Sequence, residues 1–163
     1  MTMDFPALLD RFTAAIESGD GQRLAVLFTE DGTYNDGFYG PSTGREAIAA
    51  ILEDHFHAHA RDFRWQMHNP LCDGTTGYAN WDFSYTSKLP GAEGKRVVFE
   101  GMSRFDLDAD GLIRQYTEIF DIGIPMAQLG FPAERIAQSL EKAAGRLRKR
   151  HAGGVHKTGH DPV

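Results

Sequence analysis

The chain is poor in cysteine: Cys72 is the single one in 163 residues. An internal disulfide and a cysteine-built metal site are therefore excluded, and the usage suits a reducing cytoplasm. Long apolar runs are missing too. No stretch reaches the roughly 18 apolar residues of a membrane span, and the start, MTMDFPALLDRF, lacks a basic region followed by an apolar one. A soluble cytoplasmic protein with no membrane partner is expected. Positive charge is not in excess, since 17 Lys and Arg face 23 Asp and Glu for a formal net charge of -6, which argues against a nucleic-acid partner. No internal repeat is apparent, and one core is expected at this length.

What is present is a set of aromatic and aliphatic side chains whose spacing changes along the chain. Phe5, Leu8, Leu9, Phe12 and Ile16 recur at helical period and should stop at Ser18-Gly19-Asp20-Gly21. Leu24, Val26, Leu27 and Phe28 suggest a second, short helix. The stretch TYNDGFYGPSTG after it reads as a loop with at most one short strand. Ser42 or Thr43 would cap a third helix through Ile48, Ile51, Leu52, His55 and Phe56, ending near His59. From Asp62 the period becomes two: Phe63, Trp65 and Met67, then Trp81, Phe83 and Tyr85, alternate with polar residues. KLPGAEGK and DLDADG are turns between strands, with LIRQYTEIFDI the last long strand. Helices first and four antiparallel strands afterwards predict an α+β chain. Pro132 would open a last helix through Ala144. Residues 1–145 then form the domain, and the basic, glycine-containing segment 146–163 a disordered tail.

Few features of this pattern can carry chemistry. Asp106, Asp108 and Asp110 imitate the start of a calcium-binding loop, but Thr117 stands where its bidentate glutamate belongs, so a solvated hairpin turn is the better reading. His55, His57 and His59 lack an acid that would complete a metal motif. No metal site is expected, and His55 is taken as a candidate at a pocket rim. Phe63, Trp65 and Met67 on one strand and Trp81, Phe83 and Tyr85 on another would build an aromatic wall that serves as core or as the lining of a cavity for a flat hydrophobic ligand. Asp36 lies among Tyr34, Phe38 and two glycines in TYNDGFYG. By alternation Tyr116, Glu118 and Phe120 share one strand face, which puts Asp121 on the other unless the strand bulges or ends there. A carboxyl desolvated by aromatic walls has a raised pKa and can work as a general acid or base. The alternative for Glu100 and Glu118 is a salt bridge to Arg104 or Arg114.

Three stretches resemble a known superfamily over about residues 5–131. ESGDGQRLAVLFTEDGTYNDGFYG followed by GREAIAAI is similar to the segment of ketosteroid isomerases that carries the catalytic acid, with Asp36 at that position. SRFDLDADGLI is similar to a hairpin common in the same fold. TEIFDIGIPMAQLGFP resembles the terminal segment of SnoaL-like polyketide cyclases, whose acid/base residue matches Asp121. The resemblance implies the cone-shaped α+β fold of nuclear transport factor two-like and cystatin-like proteins: a curled antiparallel sheet with N-terminal helices on its concave face. It also implies a homodimer paired through the outer sheet faces. The isomerase's oxyanion donors would fall at Phe12 and Gly101, neither of which can donate from a side chain.

On that resemblance the expected function is cofactor-free acid/base chemistry of cyclase or isomerase type on a small hydrophobic carbonyl compound. Asp121 would be the principal acid/base and Asp36 the second carboxylate. Tyr34, Phe38, His55, Trp65, Trp81, Phe83, Tyr85, Tyr116 and Glu118 would form the ligand pocket. The competing expectation is a non-catalytic module that holds a hydrophobic small molecule in the same cavity. Carboxylates converging on a closed pocket would favour the enzyme, and acids facing solvent or paired with arginine the module.

Overall fold

The computed structural model describes residues 4–153. Helix α1 (Phe5–Ser18) starts at Asp4, whose Oδ1 accepts the Ala7 N–H at 3.1 Å, and stops at Gly19 in a left-handed conformation. Phe5, Leu8, Leu9, Phe12, Ala15 and Ile16 form its buried face, as their spacing predicts. Helix α2 (Gly21–Ala25) is capped in the same way by Asp20, which accepts from Arg23 N at 3.0 Å.

The segment expected to be a loop is a hairpin, β1 (Phe28–Asp36) and β2 (Gly40–Thr43). Its turn is made by the Asp36 carboxylate, whose Oδ1 accepts the N–H groups of Phe38 and Tyr39 at 2.7 and 2.8 Å. Because Ser42 and Thr43 belong to β2, they do not cap the next helix, α3 (Arg45–Ala50). Its N-cap is Gly44, at φ 87°, with no side-chain hydrogen bond. What anchors this helix is Arg45, which donates from Nε and Nη2 to the Phe28 carbonyl at 3.0 and 2.7 Å. The helix widens into a π-helical turn at Ile51–Phe56 and closes with α4 (His57–His59). His57 Nε2 donates to the Ile16 carbonyl at 2.8 Å, tying α4 to the end of α1.

Four long strands follow, β3 (Ala60–Cys72), β4 (Thr76–Ser87), β5 (Arg96–Leu107) and β6 (Ile113–Phe120). The sheet order is β2-β1-β6-β5-β4-β3. The sheet is therefore six-stranded and curled but not closed, and not purely antiparallel. Strand β1 lies parallel to β6, with Tyr34 opposite Tyr116. The sequence pattern hides this pairing because β1 and β6 lie far apart along the chain.

Helix α1 covers the concave face. Phe12, fully buried, packs its ring against Phe28, Tyr34, Trp65, Phe105 and Tyr116 at centroid distances of 4.9 to 6.5 Å. An aromatic side chain of this kind contributes about 3–5 kcal/mol when judged by truncation. The core thus fills the α1 end of the cone and leaves the other end open.

Helix α5 (Gly123–Leu129) covers the part of β5 that extends beyond the end of β6. The Gln128 amide acts there as a short strand: Oε1 accepts from Val98 N at 2.9 Å and Nε2 donates to Val98 O at 2.7 Å. The last helix, α6 (Ala133–Arg150), runs past the expected domain boundary at residue 145, and none of its residues is buried. Of the expected tail, 146–150 is helical, and residues 154–163 lie outside the described residues.

Candidate functional site

At the open end of the cone lies a cavity of about 110 Å³. Its walls follow from the alternation of the strands. Strand β1 contributes Tyr34 and Asp36, β3 Phe63 and Trp65, β4 Trp81, Phe83 and Tyr85, β5 Phe99, and β6 Glu118 and Phe120. The hairpin turn adds Phe38 and Tyr39, and the π-helical turn adds His55 and Phe56. His59, Ala60 and Leu89 complete the lining. Tyr39 stacks on His55 with centroids 4.8 Å apart. Two glycines make room for this wall. A Cβ on Gly37 would collide with the Phe120 ring, and a Cβ on Gly101 with the Trp81 indole, so backbone and ring approach directly at both places.

Asp36 and Glu118 are the two carboxyls that line the cavity, and they are hydrogen-bond neighbours. Glu118 Oε1 accepts the Gly37 N–H at 3.0 Å, and Oε2 accepts the Tyr116 hydroxyl at 2.8 Å. Tyr116 meets Ser103 Oγ at 2.8 Å, and Ser103 accepts Trp81 Nε1–H at 2.8 Å. An indole nitrogen only donates, and Tyr116 gives its single proton to Glu118, so the bond between Ser103 and Tyr116 is left for the Ser103 proton and the row is polarised one way. Trp81 gives to Ser103, Ser103 to Tyr116, and Tyr116 to Glu118.

Burial, and then the neighbouring Asp36 charge, push Glu118 well above the ordinary glutamate value, against the Gly37 and Tyr116 hydrogen bonds that favour its charged form. Asp36 is raised by burial, opposed by the Tyr39 and Phe38 N–H groups, the Glu118 hydrogen bond and His55. Burial thus raises both carboxyls, and the closeness of Asp36 raises Glu118 further. Two carboxyls with raised proton affinity thus stand side by side in an aromatic enclosure, an arrangement able to take up and release protons.

A model of the SnoaL-like domain matches residues 9–116. The chain belongs to the SnoaL-like family. Solved structures share this SnoaL-like fold. One is a hypothetical protein with a ketosteroid isomerase-like fold from Catenulispora acidiphila in complex with trimethylamine, at TM-score 0.71 and 22% identity over 79% of this chain and 96% of that one. A putative polyketide cyclase from Xanthomonas campestris matches at TM-score 0.63 and 23% identity, over 77% and 96% of the two chains. An epoxide hydrolase of M. tuberculosis matches at 0.61 and 17%, over 86% and 94%. No curated protein matches in sequence.

In this SnoaL-like chain the expected pocket residues Tyr34, Phe38, His55, Trp65, Trp81, Phe83, Tyr85 and Glu118 all line the cavity, together with Asp36. Two expected residues do not. Tyr116 is fully buried behind the wall and reaches the site only through Glu118. Asp121 is exposed: β6 ends at Phe120 without a bulge that would turn Asp121 inward, and its Oδ1 accepts the Gly123 N–H at 2.9 Å at the start of α5. The structure therefore moves the acid pair from Asp36 and Asp121 to Asp36 and Glu118. The salt bridge considered for Glu118 is absent among the described residues, and Glu100 is exposed on the outer face.

Phe12 and Gly101 offer no donor. Phe12 is core, and the space inside Gly101 is filled by Trp81, whose N–H goes to Ser103. Tyr39, Phe56, His59, Leu89, Phe99 and Phe120 were not foreseen as pocket residues. Alternation already placed Phe120 beside Glu118, whereas no local signal marks Ser103 as part of the polar row.

Proposed function

We propose that the cavity performs acid/base chemistry of cyclase or isomerase type on a small hydrophobic carbonyl compound, with Asp36 as base and Glu118 as acid. The observation that carries this reading is the pair of carboxyls, Asp36 and Glu118, on the wall of an aromatic cavity whose lining contains no arginine. Asp36 removes a proton alpha to the carbonyl while Glu118 delivers its own to the carbonyl oxygen, which gives an enol. The enol then reacts at a second carbonyl of the same molecule or regains a proton elsewhere. The two carboxyls take up and return the proton, so the step calls for no cofactor. Carboxyls converging on an aromatic cavity support an enzyme over a module that merely holds a hydrophobic molecule.

An engineered cavity of roughly 150 Å³ holds benzene, so about 110 Å³ suits one ring-sized group, with any further ring outside the mouth at Tyr39 and His55. The reading also extends to a homodimer paired through the outer sheet face, where Val98, Met102 and Ile119 expose 50–76% of their surface. Cyclic ketones incubated in D2O test the chemistry without the natural substrate. The protein should accelerate exchange of the alpha protons, Asp36→Asn should lower that rate by about a hundredfold or more, and Asp121→Asn should leave it unchanged. Equal exchange in the wild type and Asp36→Asn would overturn the proposal.

A further inference from the structure

Two hydrogen-bond donors in the cavity wall have no partner. The Tyr34 hydroxyl and Trp65 Nε1 are both closed off from solvent and make no hydrogen bond. Both residues line the cavity, and both are almost fully buried, at 0% and 5% exposure. A buried donor without an acceptor is a costly arrangement that native proteins rarely keep without a use for it. Neither side chain is loosely placed. Tyr34 is held by Phe12, Phe28, Phe56 and Tyr116, and Trp65 by Phe12, Trp81, Phe83 and Tyr116.

Their neighbourhood shows why the protein itself leaves them unpaired. The two rings flank Tyr116, with centroids 4.6 and 6.5 Å from it. The Tyr116 hydroxyl is close to Tyr34 but not in hydrogen-bond geometry with it, and meets Ser103 and Glu118 instead. The second indole of the wall, Trp81, is the contrasting case, because its Nε1–H is satisfied by Ser103. Phe12 and Gly101 supply no donor, and among the described residues of the lining Tyr34 and Trp65 are the ones whose buried donors are left without a partner. Burial and the nearby carboxyls push Tyr34 well above the ordinary tyrosine value, so its hydroxyl keeps its proton across the working pH range.

We infer that Tyr34 and Trp65 form an acceptor subsite that takes a neutral oxygen of the ligand, the carbonyl oxygen of a small cyclic or aromatic ketone, beside Asp36 and Glu118. The inference rests on the acid/base reading for the choice of a carbonyl, and the donors alone require only an acceptor. A ketone oxygen supplies two lone pairs, one for each donor, with no charge to desolvate. Negative charge that develops on that oxygen during enolisation would be met by donors already in place. A hydrocarbon of the same shape would gain nothing from them.

The test compares cyclohexanone with methylenecyclohexane, which differ by the acceptor, in titrations of the wild type, Tyr34→Phe and Asp36→Asn. The wild type should bind the ketone about tenfold more tightly, the ratio given by one net hydrogen bond. Tyr34→Phe should lose most of that preference while its unfolding midpoint stays unchanged or rises, because the hydroxyl has no partner in the free protein. In 15N-labelled wild type, the ketone and not the hydrocarbon should move the Trp65 indole N–H signal, and the Trp81 signal should stay in place. No preference for the ketone in the wild type, or a preference intact in Tyr34→Phe, overturns the subsite. So does a Tyr34→Phe midpoint several degrees lower. Asp36→Asn should keep the ketone preference while losing alpha-proton exchange; a wild type that shows the preference without exchange leaves the subsite standing and removes the acid/base reading, and a wild type that shows exchange without the preference does the reverse.

Discussion

The raised proton affinity of Asp36 and Glu118 should be visible in the stability of the protein long before a substrate is found. Glu118 lies well above its ordinary 4.5 and Asp36 above its ordinary 3.8, in both cases chiefly through burial. A raised acid keeps its proton in the folded state after the unfolded chain has released it. Its contribution is therefore full below the unfolded value and is lost as pH rises toward the folded one. Where the folded state holds one proton more than the unfolded chain, each pH unit removes about 1.4 kcal/mol. At roughly 2–4 °C per kcal/mol for a chain of this size, the melting temperature should fall by about 3–6 °C per unit above pH ~5. Histidines titrate in the same range, so the quantity to follow is the difference between wild type and Glu118→Gln, in which their effects cancel. Thermal unfolding from pH 5 to 8.5 should show the wild type losing ground to Glu118→Gln as pH rises. A difference that stays flat, or grows in favour of the wild type, would refute the raised proton affinity.

Two further outcomes follow from the geometry. Tyr116→Phe removes the link between Ser103 and Glu118 and leaves both short of a partner. It should cost about 1–3 kcal/mol in urea unfolding, and combined with Ser103→Ala it should cost less than the two changes added together. Met102→Glu, on the outer face opposite Ile119, should convert the proposed dimer to a monomer in sedimentation without changing the alpha-proton exchange rate per cavity by more than about twofold.

Much of the fold was legible because its elements are locally consistent. The face of α1, the turns at KLPGAEGK and DLDADG, and the inward aromatics of β3 and β4 all follow from spacing. Long-range pairing is what the sequence concealed. Nothing local announces that β1 lies against β6, yet this pairing brings Tyr34 to Tyr116 and Asp36 near Glu118. Likewise TYNDGFYG looked like an irregular loop because its turn is made by a side chain, Asp36, accepting from the backbone. The same residue can therefore shape the hairpin and serve the cavity. For the site, strand parity was the sounder guide: it put Glu118 and Phe120 on one face and Asp121 on the other. The family resemblance had favoured Asp121, and the end of β6 at Phe120 left that residue outside. Gly37 and Gly101 carried meaning that only the packed structure reveals, since each matters through the ring that occupies its missing Cβ.

The most direct test of the central claim is the protonation state of the two carboxyls, read from the 13C carboxyl resonances of the wild type between pH 4 and 8 and assigned with Asp36→Asn and Glu118→Gln. The account requires Glu118 to titrate well above the ordinary glutamate value, after Asp36. Two carboxyls that both titrate at or below their ordinary values would contradict it.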